Sequence, residues 1–323
     1  MKPSHIYIEK RALGYELTER ILGRYGGSSV IFIDHYKDVF NRTGQEFSRQ
    51  ERSRSLILAV NDGNKIFPGA PVCQDFGSER FFYSVNAMNC VFNCEYCFLK
   101  GMYPGANIVL FVNLDDYERE VDLMLADGPL YLSCSYDTDL LALEEDTGLS
   151  SFWTDLALSR EGLYIELRTK SAPKSFVPSD RIIYAFSISP REVIQRYEHK
   201  TASFHKRIES VIAAQKEGAQ VRLCLDPMIF VPGFEEIYGS MTDEIIRRID
   251  LSLVRDISIG SFRISKEYIK QMRRNSGYSS SVMFPFVNEG GYLMYPEDLR
   301  NKMTDLISNK LEGHIDGTRI YKA

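Results

Sequence analysis

The sequence predicts an α/β protein built as a parallel β/α barrel or as part of one. From Phe81 onward, short apolar or β-branched runs alternate with amphipathic segments of helical period. The chain of 323 residues has enough apolar material for a large core, and neither an internal repeat nor a long linker divides it. No G-x-G-x-x-G follows any of these runs, which disfavours the alternative, an open doubly wound sheet. We therefore expect the site at the carboxyl ends of parallel strands.

Six or more predicted β-α units follow one another along the chain, and they support a parallel barrel. The predicted strands are, in chain order, FFYSVNAM, NIVLFVNL, PLYLSCS, LYIELRTKS, RIIYAFSIS, QVRLCLDPMI and DISIGSFRIS. The predicted helices between them include DDYEREVDLMLADG, FWTDLALSREG and SFHKRIESVIAAQKEGAQ. Gly218 follows the last of these helices, as expected of a glycine that ends a helix. Alternation of this kind is typical of a parallel sheet covered by helices.

Two further segments flank this core. Residues 1–80 form a predicted N-terminal extension packed on the core, with one helix (KRALGYELTERILGRYG) and two strand-like runs (SSVIFID and SLILAVN). Residues 81–265 are the predicted barrel. Residues 266–323 form a C-terminal segment in which SSVMFPFVNEGGYLMYPED predicts a β-hairpin with its turn near residues 288–291. We expect the three segments to form one structural unit.

Composition and charge limit the classes of function. No window approaches the roughly 18 consecutive apolar residues of a membrane span, and the N-terminus MKPSHIYIEKRALG lacks the apolar stretch of a signal peptide. A cytoplasmic, membrane-free protein is expected, in which clustered cysteines are metal ligands or reactive thiols before disulfides. The net charge of -5 gives no overall basic footprint for nucleic acid. Only the basic segments 196–207 and 270–275 would contact phosphate, and each is also compatible with a solvated helix face.

Three of the six cysteines lie within eight positions, as Cys90, Cys94 and Cys97, after the first predicted strand of the core. Three thiolates that converge from one loop suit an iron-sulfur cluster. With three protein ligands for four irons, one iron keeps an open position that can chelate the amino and carboxylate groups of S-adenosylmethionine. A structural zinc site would need a fourth Cys or His at short spacing, but the nearest other cysteines are Cys73 and Cys134.

The C-x3-C-x2-C motif with Tyr96 and Phe98 is similar to that of the radical S-adenosylmethionine superfamily, and more of the chain resembles the spore photoproduct lyase family. The resembling segments follow one another along most of the chain: HIYIEKRAL, NCVFNCEYCFL, FVNLDDY, LSCSYDTD, LRTKS, YAFSIS, YEHKTASFHKRIESVIAAQKEG, LDPMI and ISIGSFRIS. The resemblance implies a partial TIM barrel of (β/α)6 type, a 4Fe-4S cluster and S-adenosyl-L-methionine. It also implies a carbon-carbon lyase that repairs the thymine dimer 5-thyminyl-5,6-dihydrothymine in DNA, served by an electron donor such as flavodoxin or ferredoxin.

The resemblance also implies roles for single residues. Cys134 would return a hydrogen atom to the substrate radical, since the S–H bond of a thiol is weak. Lys170 and Ser187 would bind the carboxylate of the cofactor, and Asp137 would lie near its ammonium group. Tyr96, a candidate for both catalysis and cofactor binding, and Phe98 would shield the cluster and flank the adenine.

Two departures from the family pattern bear on the substrate. The family commonly has a tyrosine at the position of Phe98, with the role of relaying a hydrogen atom between the donor cysteine and the cofactor. Either Tyr136 supplies a substitute phenol here, or the route of regeneration differs. The hairpin is apolar and acidic here, whereas the family's is basic, which leaves Arg263 and Tyr292 as the candidate DNA contacts. The alternatives are a radical enzyme for a peptide or modified nucleoside and, from another class, a non-catalytic metal-binding module.

Overall fold

The computed structural model describes residues 2–70, 72–277 and 280–322. Its strands are β1 (His5–Glu9), β2 (Ser29–Ile33), β3 (Leu56–Ala59), β4 (Ile66–Pro68), β5 (Phe81–Ser84), β6 (Ala87–Met88), β7 (Asn93–Cys94), β8 (Ile108–Phe111), β9 (Leu130–Ser133), β10 (Leu163–Thr169), β11 (Ile182–Ser187), β12 (Glu198–His199), β13 (Gln220–Met228), β14 (Val254–Ser261), β15 (Arg263–Ser265), β16 (Val287–Glu289), β17 (Tyr292–Met294) and β18 (Ile320–Lys322). Its α-helices are α1 (Glu16–Arg24), α2 (Lys37–Phe40), α3 (Phe47–Gln50), α4 (Leu99–Met102), α5 (Leu114–Leu125), α6 (Leu140–Thr147), α7 (Leu149–Ser159), α8 (Arg191–Tyr197), α9 (Phe204–Lys216), α10 (Phe234–Arg248), α11 (Lys266–Arg274) and α12 (Glu297–Leu311). None of the helices in these ranges is both long enough and apolar enough to cross a membrane.

The main sheet has eight strands in the order β4, β5, β9, β10, β11, β13, β14 and β18. Every neighbouring pair is parallel except the edge pair, in which β4 runs antiparallel to β5. All residues of β9 and β11 are buried, as expected of parallel strands covered on both faces. Within the described ranges β4 does not pair with β18, so the sheet is open. The predicted α/β fold, a partial barrel, is confirmed.

A second sheet has five strands in the order β2, β1, β3, β8 and β6. Strand β8, which the sequence placed among the strands of the core, pairs in parallel with β3 of the N-terminal segment. Its four residues are fully buried, and an apolar run of this kind does not show which sheet the strand joins. The N-terminal segment therefore shares a sheet with the chain on both sides of the three cysteines, and the boundary at residue 80 stays a prediction.

The predicted hairpin is present near the C-terminus. Strands β16 and β17 pair antiparallel, with Glu289 opposite Tyr292. Gly290 and Gly291 form the two-residue turn with φ of 58° and 89°, which glycine adopts without a steric penalty. Strand β15 pairs with the other side of β17, so the hairpin is joined to the end of the barrel.

A buried polar network, here called the floor network, fills the barrel interior at the first half of the strands. Arg222 donates to Asp256 at 2.8 Å and also contacts Glu166, and Tyr131 donates to Glu166 at 2.8 Å. The side chain of Arg222 is only 1% exposed. Burial opposes the charge of Glu166, but the neighbouring arginines Arg168 and Arg222 outweigh it and lower the pKa of Glu166 to about 2.

Candidate active site

The three clustered cysteines lie on a loop, residues 90–97, that follows β6. Strand β7 within this loop pairs antiparallel with β12, and the amide of Glu95 donates to the carbonyl of Tyr197 at 2.8 Å. From the other side, the guanidinium of Arg54 donates to the carbonyls of Cys90 and of Phe92, the latter at 3.1 Å. The cysteine loop, as we call residues 90–97, is therefore fixed by contacts to its backbone from both sides.

The three cysteines share one environment, in which Cys94 is buried and Cys90 and Cys97 are half-buried. Burial raises the pKa of Cys94 and of Cys97, and that of Cys90 to about 12, and the Cys97 thiol adds to the shifts of the other two. Lys170 opposes the shift at Cys94 and Cys97 because its ammonium group lies near both. Across the described ranges, no group of three or more His, Cys, Asp and Glu side chains is arranged to hold a metal ion. The donor set itself, three soft sulfur ligands on one half-buried loop, is the one that iron-sulfur clusters use.

Lys170 and Asp137 stand beside this loop with polar atoms that lack partners. The ammonium nitrogen of Lys170 lies 5.7 Å from the centroid of the Tyr96 ring and forms no ion pair or hydrogen bond within the described part of the chain. Asp137 is 3% exposed, and its Oδ2 accepts from Tyr103 at 2.8 Å, but its Oδ1 has no partner. Burial raises the pKa of Asp137 to about 6. An unpaired cation and an unpaired carboxylate oxygen fit the carboxylate and the ammonium of an amino acid.

The backbone that carries Lys170 is fixed by Asp139. The carboxylate of Asp139 accepts from the amide of Lys170 at 2.8 Å, from the hydroxyl of Thr169 at 2.9 Å, and from the amide of Ala142 at 3.0 Å. The last of these bonds caps the start of α6. One carboxylate thus holds the end of β10 and the start of α6 together, which places the Lys170 side chain on the cysteine loop's side of the sheet.

Tyr96 is held by a buried polar network of its own. Its hydroxyl donates to Glu198, which also accepts from Ser189 at 2.7 Å and pairs with Arg207. Burial opposes the charge of Glu198, but Arg207 outweighs it, so the pKa of Glu198 lies below its ordinary value. The bond to Glu198 occupies the phenol of Tyr96 and leaves its ring face toward Lys170.

Cys134 comes directly after β9, at the carboxyl edge of the sheet. It is 1% exposed, its thiol donates to the carbonyl of Leu132 at 3.7 Å, and its amide donates to the carbonyl of Glu166. Burial raises the pKa of Cys134 well above the ordinary value, and a bond to Ser84 opposes that shift. A protonated thiol is the form that can give up a hydrogen atom.

Tyr136 lies between the ring of Phe98 and the thiol of Cys73. Its ring stacks on Tyr83 at 4.2 Å between centroids and lies 5.5 Å from the ring of Phe98. Its hydroxyl accepts from the thiol of Cys73 at 3.7 Å. The phenol predicted to substitute for the missing tyrosine is therefore in contact with Phe98, the residue whose hydroxyl is missing.

The other predicted contacts lie at the rim. Ser187 is the last residue of β11, is buried, and its carbonyl accepts from Arg207 at 2.8 Å. Arg263 and Tyr292 lie in neighbouring strands of the hairpin sheet, and the guanidinium of Arg263 donates to the carbonyl of Val72. Both are half-buried. That bond brings the hairpin sheet to the segment that carries Cys73.

The sequence did not indicate the residues that hold this arrangement. Arg207 lies in the basic segment 196–207 and was expected to be solvated or to contact phosphate, but it is 0% exposed and paired with Glu198. That expectation is wrong for Arg207, because an ion pair whose members are nine positions apart looks like surface charge in a sequence. Tyr103 and Asp139 were also missed. A signal for Asp139 existed, since an acidic residue directly before the apolar start of α6 is a typical helix cap.

Comparison with known proteins gives one consistent result. No family model matches the chain. Spore photoproduct lyase from Geobacillus sp. (strain Y412MC61) is 20% identical over 263 residues, which cover 77% of this chain and 74% of that protein. The solved structure of spore photoproduct lyase complexed with dinucleoside spore photoproduct has a TM-score of 0.82 at 17% identity and covers 99% of this chain and 98% of that one. A double mutant of that lyase with bound AdoMet and dinucleoside spore photoproduct has the same TM-score at 18% identity and the same coverage. The chain has the fold of spore photoproduct lyase, and the resemblance to that family which its motifs indicated is confirmed.

Proposed function

We propose that the protein is a radical S-adenosylmethionine lyase that repairs 5-thyminyl-5,6-dihydrothymine in DNA. The observation that carries the proposal is the meeting of three groups at one edge of the open barrel. These groups are the three thiols of the cysteine loop, the unpaired ammonium of Lys170 and the unpaired oxygen of Asp137. The solved structures that the chain resembles contain AdoMet and dinucleoside spore photoproduct, which supports the same cofactor and lesion for this chain.

Cys90, Cys94 and Cys97 would hold a 4Fe-4S cluster and leave its fourth iron to S-adenosylmethionine. Bound there and supplied with one electron, this pair would release methionine and supply a 5'-deoxyadenosyl radical for the removal of a hydrogen atom from C6 of the dimer. Lys170 would bind the carboxylate of the methionine part, with Ser187 at the neighbouring strand end. Asp137, with one oxygen held by Tyr103, would accept from its ammonium.

Tyr96 and Phe98 would enclose the cofactor from the cysteine loop. The phenol of Tyr96 donates to Glu198, so the ring is fixed and does not take part as an acid. A fixed ring beside the Lys170 ammonium would shield a bound carboxylate from water, which would strengthen its attraction to the ammonium. Phe98 adds an apolar face next to Cys97.

Cys134 would return a hydrogen atom to the thymine radical after the bridge between the bases has broken. Its burial keeps it protonated, which is the form this step requires. Tyr136 is the phenol that would pass a hydrogen atom back toward the cofactor, because it lies against Phe98. Arg263 and Tyr292 would contact the DNA from the hairpin sheet.

Reconstitution under anaerobic conditions tests the proposal. Reduced protein is expected to contain about four irons per chain, to cleave S-adenosylmethionine to 5'-deoxyadenosine, and to convert a dimer-containing oligonucleotide to its repaired form. Cys134→Ala is expected to keep the iron content and the cofactor cleavage but to give aberrant products by mass spectrometry. Cys224→Ala, the removal of another buried thiol, is the matched control and is expected to give the normal product.

Two results would overturn parts of the proposal separately. Colourless protein that binds zinc and cleaves no cofactor would favour a non-catalytic metal-binding module. Cofactor cleavage without any change in the oligonucleotide would leave a radical enzyme whose substrate is a peptide or a modified nucleoside, as the acidic hairpin and Phe98 would then suggest.

A further inference from the structure

A large groove runs along the outer face of the main sheet, opposite the barrel interior. The chain between β10 and β11, residues 170–181, contains no helix, so no helix of that connection covers the outer side of these two strands. The groove that results has a volume of 1640 Å³, with Leu167 of β10 and Tyr184 of β11 among the residues that line it. Its walls come from α6 and α7 on one side and from α9 on the other. We call it the outer groove.

The outer groove is basic although the chain is acidic. Seven basic and five acidic residues line it, in a protein whose net charge is -5. Its acidic side chains are largely engaged: Glu51 pairs with Lys100, Glu145 and Asp146 pair with Arg24, and Glu144 accepts from Ser150 and Ser151. The basic residues without an ion pair within the described ranges are Lys2, Arg52, Lys174, Lys200 and Lys206, and all five are exposed. The positive charges of these five side chains are therefore available to a partner.

One end of the outer groove is the back of the cysteine loop. Val91 and Phe92, between the first two cysteines, line it, and so does Arg54, which donates to the carbonyls of Cys90 and Phe92. Cys134, Asp137 and Lys170 are not among the described residues that line the groove. A molecule seated there would touch the backbone that carries the cysteines, but it would not enter the space proposed for the substrate.

We propose that the outer groove docks an acidic one-electron carrier protein, and this rests on the proposed function. The carrier would be oxidised by one electron while the cluster on the other side of the cysteine loop gains that electron. Charge complementarity favours an acidic partner, and contacts between electron-transfer proteins are small enough for a groove of this size. DNA also carries negative charge, but its reacting base must reach Cys134. Cys134 is not among the described residues that line the outer groove, so DNA bound there would not present a base to it.

Binding measurements on the full chain test the site without relying on turnover. Arg52→Glu/Lys206→Glu reverses two exposed charges of the groove, and Glu at position 206 suits the third position of α9 behind the Ser203 cap. At low salt this variant is expected to bind flavodoxin about tenfold more weakly than the unmodified protein by calorimetry. Lys216→Glu/Arg247→Glu reverses two exposed charges that do not line the groove and is expected to bind flavodoxin like the unmodified protein.

Cofactor cleavage by the reconstituted protein gives a second measurement. Reduced flavodoxin is expected to drive cleavage more slowly in the groove variant, whereas dithionite, a small reductant that needs no docking, drives it at an unchanged rate. Equal flavodoxin affinity in the two variants would overturn the inference. So would a groove variant that keeps its flavodoxin affinity and loses affinity for lesion-free duplex DNA. Failure of dithionite-driven cleavage in the unmodified protein would contradict the proposed function, while the calorimetry would still decide what the groove binds.

Discussion

Two polar regions of this barrel, one fully buried and one with the half-buried Lys170 beside the buried Asp137, differ in their pairing. In the floor network, Arg222 binds Asp256 and Glu166, and Tyr131 donates to the same glutamate. Beside the cysteine loop, in contrast, Lys170 has no ion pair within the described ranges and one oxygen of Asp137 has no partner. Buried polar groups are normally paired because an unpaired one costs about 1–3 kcal/mol. The floor network therefore serves the fold, and we propose that a ligand completes the pairing of the Lys170 ammonium and the Asp137 oxygen.

Removing Arg222 should have the largest effect on stability. Arg222→Met leaves Arg168 as the remaining cation of Glu166 and the half-exposed Arg255, whose Nε lies 3.6 Å from the carboxylate, as that of Asp256. Because breaking a buried ion pair leaves uncompensated charge, we expect the free energy of unfolding to fall by about 3–5 kcal/mol. Urea denaturation of the cluster-free protein measures this. Arg247→Met, at an exposed arginine without an ion pair in the described ranges, is the control and should change it by less than about 0.5 kcal/mol.

The two regions should also respond to pH with opposite sign. Glu166 has a folded pKa of about 2 against an ordinary 4.5, so its contribution to stability is present above pH 4.5 and is lost as the pH falls toward 2. Asp137 has a folded pKa of about 6 against an ordinary 3.8, so the folded state binds its proton more tightly and loses stability as the pH rises from about 4 to 6. Each of the two groups should change the free energy of unfolding by about 1–3 kcal/mol over its pH range.

Denaturation of the cluster-free protein across this pH range separates the two groups. Glu166→Gln should reduce the loss of unfolding free energy that accompanies a fall in pH below 4.5. Asp137→Asn should remove the loss of unfolding free energy that accompanies a rise in pH from 4 to 6. If Asp137→Asn leaves that decline unchanged, the carboxyl group is not the buried, half-satisfied group that the structure describes.

The smallest effect on stability is expected at Lys170. Since its ammonium has no partner within the described ranges, Lys170→Met removes no ion pair and should change the free energy of unfolding by less than about 0.5 kcal/mol. A loss similar to that of Arg222→Met in the same urea experiment would mean that Lys170 is part of the fold's own pairing. The comparison between the two regions would then no longer hold.

The sequence predicted the parts of this molecule that depend on local pattern. The parallel strands, the hairpin turn at Gly290 and Gly291, and the loop position of the cysteines follow from periodicity, turn chemistry and spacing. The pairing of β8 with the N-terminal sheet was not predictable, because a fully buried run carries no sign of its neighbours. The Glu198–Arg207 pair and the outer groove were missed for a related reason. Which charges are buried, and which strands lack a helix cover, depend on contacts between distant segments.

Binding of S-adenosylmethionine tests most directly whether the unpaired Lys170 belongs to the ligand site and the paired Arg222 to the fold. Calorimetric titration would compare the reconstituted protein with Lys170→Met and Arg222→Met, each checked for equal iron content. Loss of one charged hydrogen bond corresponds to about 1.5–3 kcal/mol, so Lys170→Met should bind roughly 10- to 100-fold more weakly. Arg222→Met should bind like the unmodified protein in spite of its lower stability. Unchanged affinity in Lys170→Met, or an equal loss in Arg222→Met, would contradict the account.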